Sequence, residues 1–217
     1  CVIRLLLYFL LITLNAFAIE PTKKGTTMTI DSQTADSLLS EADATFQKRD
    51  YAGAFTIYEN AVKSARDEFN RPVEVEALSQ MARMCLLTNR LEDAKKFLGE
   101  AASRADSADS MGWSRYLGVK GRLEWKTNDL AAARQTFETM FDYCSLNELW
   151  SRAVDAAHMV AIVAERTEDQ IEWSKKGIAI AEARETGNWL GPLWNNLAGI
   201  YYEIKQFDSA LECYKNA

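Results

Sequence analysis

Catalysis and metal binding need particular side chains at particular spacings, and the scarcest of them here is histidine. His158 is the only one in 217 residues. A Ser-His-Asp triad would have to use it, and so would any His-ligated metal. It sits in AVDAAHMVAIVAE, flanked by apolar residues. That context reads as a helix-face histidine, with ligand contact or pH sensing as the alternative. Three of the four cysteines, Cys85, Cys144 and Cys213, are widely spaced. Their spacing fits neither a disulfide framework nor a CxxC metal site. Cys85 and Cys213 fall in amphipathic stretches, where cysteine acts as a small buried hydrophobe. Asp106-Ser107-Ala108-Asp109 lacks the glycine and the closing glutamate of a calcium loop. Neither phosphate-cradling glycine pattern occurs. The acidic pairs Glu92-Asp93 and Glu168-Asp169 stand at expected helix starts, where they complement the helix dipole. These residues predict no enzyme, no catalytic group, no cofactor and no metal.

The elements that would position any other site come from composition and periodicity. The chain is 48% hydrophobic and 26% charged, enough for a packed core. Three prolines and ten glycines are few for a fold built on tight turns, so helices are expected. A net charge of −6 excludes a basic nucleic-acid footprint and uniform attraction to anionic membranes. The chain begins at Cys1, so a fragment, a processed form or an incomplete reading frame is expected. Val2–Ala18 carries Arg4, the apolar run Leu5–Leu14 and a small-x-small site at Ala16-Phe17-Ala18. That order describes a secretory signal peptide over 1–18 and implies an exported, periplasmic or extracytoplasmic protein. The run is short for an uncleaved anchor, the second reading. In the third, Met28 is the true start and the protein is cytoplasmic. Residues 19–34 are polar and read as a linker. Membrane contact is expected only through the N-terminal signal or a missing C-terminal segment.

From residue 35 the chain is periodic, so internal repetition is tested first. The clearest unit is LWNNLAGIYYEIKQFDSALECYKNA. Trp194, Leu197, Ala198 and Tyr201 share one helical face; after a break at Lys205-Gln206-Phe207, Ala210, Tyr214 and Ala217 resume the spacing. The same grid fits four earlier segments. The first runs from Leu38, Ala42 and Thr45 to Tyr51, Ala54, Tyr58 and Ala61. The second runs from Leu78, Met81, Ala82 and Cys85 to Leu91, Ala94, Leu98 and Ala101. The third runs from Leu117, Gly121 and Glu124 to Leu130, Ala133, Phe137 and Met140. The fourth runs from Ala157, Val160, Ala161 and Ala164 to Trp173, Gly177 and Ile180, with Trp173 where a small residue is wanted. Successive key positions lie 40, 39, 40 and 37 residues apart. Asn70 and Asp109 are candidate helix caps, and Pro72 suits a first turn.

The pattern resembles the tetratricopeptide repeat, W-x2-L-G-x2-Y, then A-x3-F, with Ala198 for glycine and Tyr214 for phenylalanine. The longer period implies helices about one turn longer than in the standard 34-residue unit. The resemblance implies an all-α fold, a right-handed α-solenoid of antiparallel helix pairs. Five repeats are expected over about 35–70, 71–109, 110–147, 148–187 and 188–217. The array is expected to be truncated at its C-terminus, with the last apolar face awaiting a neighbour.

In that family the first helix of each pair lines a concave groove. Rotating one residue from the packing positions gives the expected inner set. It includes Phe46, Arg83, Arg115, Arg122, Trp125, His158, Asn195 and Tyr202. Arginines cluster in the middle units of an acidic chain, and aromatics recur late in these helices. Arginine forks beside aromatics suit a peptide carboxylate or an acidic motif. The expected function is a non-enzymatic scaffold binding a protein or peptide partner in the groove. The alternative is an extracytoplasmic sensory or regulatory region of a larger signalling protein. The lysine–asparagine clamp of chaperone-tail-binding relatives is missing from these positions, so chaperone binding is not predicted.

Overall fold

The computed structural model describes residues 33–184 and 186–217. The expected signal peptide lies outside the described residues, as does nearly all of the linker. Ten α-helices and no strand occur among the described residues. They are α1 (Ala35–Gln47), α2 (Tyr51–Asp67), α3 (Arg71–Leu87), α4 (Leu91–Arg104) and α5 (Ser110–Lys126). Then come α6 (Leu130–Leu146), α7 (Trp150–Val163), α8 (Thr167–Ala183), α9 (Leu190–Glu203) and α10 (Phe207–Asn216). A short 3-10 turn, Gly187–Trp189, precedes α9. Most helices pack chiefly on their sequence neighbours, so the core is a chain of overlapping clusters rather than one centre. Among the described residues, no helix is long and apolar enough to cross a membrane.

One turn recurs at six connections. A single left-handed residue follows the helix end, one N-cap residue comes next, and the next helix begins directly after it. The left-handed positions are Arg49, Phe69, Asn89, Asn128, Glu148 and Lys205. At five of them the following amide donates to the carbonyl five residues back, as Arg90 does to Cys85 at 2.8 Å and Leu149 does to Cys144 at 2.9 Å. This closes orphan helix carbonyls as a Schellman motif does. The residue after the turn often caps the next helix. Asp50, Asn70 and Asp129 accept from Gly53, Val73 and Ala132, and Asp109 accepts from Met111 and Gly112. Pro72 lies in the first turn of α3, where its missing N–H costs no helix bond.

Small residues let paired helices approach. Ala42, Ala54, Ala61, Ala94, Ala101 and Ala133 are fully or almost fully buried. A Cβ added at Gly121 would lie 2.6 Å from the Phe137 ring, so α5 and α6 need glycine there. A Cβ at Gly112 would stand 3.3 Å from the Pro72 carbonyl. That second approach places α5 against α3, and α5 packs more on α3 than on α4. Helix α3 is therefore enclosed, with 13 of its 17 residues buried. Cys85, Cys144 and Cys213 are free thiols buried in the helix packing.

Two expectations change. In the fourth pair Gly177 is buried as expected, but its companions on the buried face are Ser174, Ile178 and Ala181 rather than Trp173 and Ile180. Helix α7 stops at Val163, Ala164 is extended, and α8 starts at Thr167. Ser174 consequently lies a turn deeper in its helix than Ala133 does in α6. Trp173 instead sits at the edge, its ring edge-on to Phe141 at 5.1 Å and covered by the Lys176 ammonium at 4.1 Å. In the fifth pair Tyr214 is 47% exposed, whereas Tyr58 and Phe137 at the matching positions are fully buried. It opens onto a cleft beside α7 and α9 rather than filling a gap between pairs.

Candidate functional site

Facing side chains of α1, α3, α5 and α7 build a polar row across four helix pairs. Helix α1 contributes Asp43 and Phe46. Asp43 accepts from the Tyr58 hydroxyl and, at 3.0 Å, from the Gln80 amide. Burial and the bond to Asp43 push the Tyr58 phenol well above its ordinary range.

Next to this group lies a buried ion cluster. Glu76 of α3 is 5% exposed, and its Oε2 accepts from Arg115 of α5 at 3.3 Å and from Arg152 of α7 at 2.8 Å. Arg152 also donates to the Ser114 hydroxyl at 2.6 Å and to the Met111 carbonyl. Further along the same helices, Arg122 of α5 grips both carboxylate oxygens of Asp155 on α7, at 2.7 and 2.9 Å. Its other Nη donates to the Gly118 carbonyl at 2.9 Å. Burial would raise the Asp155 carboxyl, but Arg122 and Arg83 more than offset it and hold it below the usual carboxylate range.

Arg83 differs from its neighbours. Its guanidinium carbon stands 5.1 Å from the centre of the Phe46 ring. Among the described residues, no carboxylate lies within salt-bridge distance of it and no oxygen accepts from it. Burial, and then the charge of Arg122, bring its pKa down to about 10, low for a guanidinium. Arg83 also borders a cleft of about 250 Å³ with Leu86, Leu87, Arg122, Trp125 and Lys126. Leu87 is 53% exposed and Trp125 42%, so two large apolar side chains face solvent there.

The expected site residues thus divide. Phe46, Arg83, Arg115, Arg122 and Trp125 come together. His158 and Asn195 line a separate cleft of about 350 Å³ with Asn196, Gln170 and Tyr214. The His158 ring nitrogen lies 3.4 Å from the Asn196 amide, and burial pushes its pKa below the ordinary histidine value. Tyr202 is 61% exposed and packs edge-on against Phe207 at 5.5 Å, apart from both clefts. Arg115 and Arg122 are not free forks: each is held by a carboxylate of another helix pair, because α5 lies between α3 and α7.

Glu76, Gln80 and Arg152 belong to the site and were not in the expected inner set. Their signal was positional. Stepping back one turn from Asp155 reaches Arg152, and stepping back from Arg83 reaches Gln80 and Glu76. A glutamate so placed reads as a solvated surface until α5 is known to cover it. Among the described residues, no three His, Cys, Asp or Glu side chains group as a metal set.

A family model described as the tetratricopeptide repeat matches residues 191–217. Comparison with curated proteins finds no match. Solved structures match by shape. One is a signal transduction ATPase with numerous domains and a tetratricopeptide repeat sensor, from Pyrococcus horikoshii. It has TM-score 0.69 and 16% identity, over 82% of this chain and 28% of that one. Another is aspartyl phosphate phosphatase F from Bacillus subtilis, with TM-score 0.66 and 13% identity, over 82% of this chain and 48% of that one. A thermophilic tetratricopeptide repeat protein from Thermus thermophilus matches with TM-score 0.52 and 18% identity, over 84% of this chain and 89% of that one. The chain thus spans less than half the length of the first two. A tetratricopeptide-type helical repeat is a fold typical of protein–protein interaction, and that is the fold of this chain, an all-α solenoid of helix pairs.

Proposed function

We propose that the concave face is a docking groove for a protein or peptide partner that presents an acidic group. One observation carries this reading. In a chain of net charge −6, four arginines converge on one stretch of groove, outnumbering the carboxylates of Asp43, Glu76 and Asp155 set among them. Charge of that sign, set beside the exposed Trp125 ring, favours an anionic partner over a cationic one. The fold supports partner binding in general, and the cluster supplies its sign.

Selection from a library of short displayed peptides tests the reading. The expected outcome is enrichment of sequences carrying Asp or Glu near an aromatic or aliphatic residue. Their binding should be lost in Trp125→Ala and kept in Glu172→Ala, an exposed change on α8. Enrichment of basic sequences, or binding indifferent to Trp125, would sink it. The sensory alternative uses the same groove within a longer signalling protein. Export through the Val2–Ala18 segment is a separate part of the proposal, checked by sequencing the N-terminus of protein recovered outside the cytoplasm.

A further inference from the structure

The ion cluster is not uniformly available to a ligand. Arg115 and Arg152 share Glu76, and Arg122 is neutralised through two bonds to Asp155. Displacing either carboxylate would leave a buried charge unpaired, which is costly. Arg83 carries no such debt. It is half-buried, so part of its hydration is already gone. A guanidinium has five N–H donors, and among the described residues none of those on Arg83 meets an oxygen. The charge left over at this end of the groove is positive: Arg83 is joined at the cleft by Lys126, and Arg115 and Arg152 have only one carboxylate between them. The planar Arg83 fork suits a carboxylate, which can accept two parallel N–H bonds from it. Beside it, Leu86, Leu87 and Trp125 form the wall of the 250 Å³ cleft, with apolar surface that a ligand side chain would bury.

We infer that Arg83 is the anchor for a peptide carboxylate, and that the Leu86–Leu87–Trp125 cleft takes the apolar side chain next to that carboxylate. This rests on the groove reading above and narrows it to one guanidinium and one adjoining cleft. The carboxylate is that of a chain terminus or of an Asp or Glu side chain, and two probes separate those sources. Phe46 acts as a positioning residue, because its ring face holds the guanidinium at the head of the cleft.

The test follows the Arg83 Nε–H and Trp125 indole N–H resonances of the whole chain during titration with small probes. N-acetyl-phenylalanine offers a main-chain carboxylate beside a ring. N-acetyl-aspartyl-phenylalaninamide offers a side-chain carboxylate beside the same ring. N-acetyl-phenylalaninamide offers the ring alone. At least one acid should move both resonances saturably and bind at least tenfold more tightly than the uncharged amide. Which acid does so names the source. Arg83→Gln should abolish that discrimination with little change in melting temperature, since Asp155 keeps both its bonds to Arg122.

Equal binding of acid and amide would overturn the anchor, as would discrimination that survives in Arg83→Gln. So would the lack of any saturable shift up to about 10 mM, where such single-contact ligands should register. If an acid is preferred but shifts only Arg115, Arg152 or His158, the anchor is wrong and the groove reading stands. If the displayed peptides also bind without regard to Trp125, both fail.

Discussion

A buried glutamate with two arginines is worth little as a net gain, but it is expensive to break. Glu76 illustrates the asymmetry, because its removal strands Arg115 and Arg152 together, at 23% and 14% side-chain exposure. Glu76→Ala should therefore cost about 3 kcal/mol in a denaturant melt. Arg83→Gln should cost close to nothing in the same measurement. A Glu76→Ala variant as stable as the parent would show that solvent, not Glu76, neutralises these arginines. The contrast divides the arginines that sequence groups together into those that hold the array and the one left for a ligand. Arg83, Arg115 and Arg122 were legible as one cluster, because helical spacing puts them on one side of adjacent first helices. Which of them was already paired was not legible. Pairing depends on Glu76 lying beneath α5, and that depends on Gly112 letting α5 approach the Pro72 carbonyl at a distance in the chain that no local pattern reports.

Elements are joined here by a turn that asks for a left-handed residue and does not use glycine for it. Asn89 and Asn128 suit that conformation, but Phe69 does not. Phe69 has φ of 57° and is 93% exposed, so it is strained without packing in return. Phe69→Gly should raise stability by about 0.5 kcal/mol, the relief of strain exceeding the added freedom of the unfolded chain. An unchanged or lower melting temperature would mean that the Phe69 ring has a role its exposure conceals. The breaks at Lys48-Arg49-Asp50 and Asn128-Asp129 were readable because a helix pattern stops and restarts around polar residues. The register of α8 was not. Its helix starts a turn earlier relative to its buried face, and a fixed repeat period passes over such a shift. Ser174 was then overlooked, since serine in a polar stretch carries no packing signal until its hydroxyl is seen bonding to the Gln170 carbonyl at 2.7 Å.

At the scale of the whole array, neighbour-only packing would make each pair an independent step in unfolding. Pairs two to four depart from that rule. Glu76 joins α3 to α7 through Arg152, side chains 76 positions apart in sequence, and Asp155 adds a second link through Arg122. The fifth pair is tied less closely: it joins the array chiefly through α8 and α9, and among the described residues no ion pair reaches it from the earlier pairs. Native-state hydrogen exchange should show the amides of α3 to α7 opening together, with α9 and α10 opening at lower free energy. Uniform protection along all ten helices would contradict this. The order of pairs was readable from the repeat, but cooperativity was not, because it lives in side chains that skip a pair. The Arg152–Glu76 tie also has a mechanical meaning. A stack of helix pairs flexes like a spring, each joint yielding a little. A strut that crosses one coil to fasten the next removes a hinge from the middle of that spring, so bending is left to the two ends and the groove between the struts keeps its width under load.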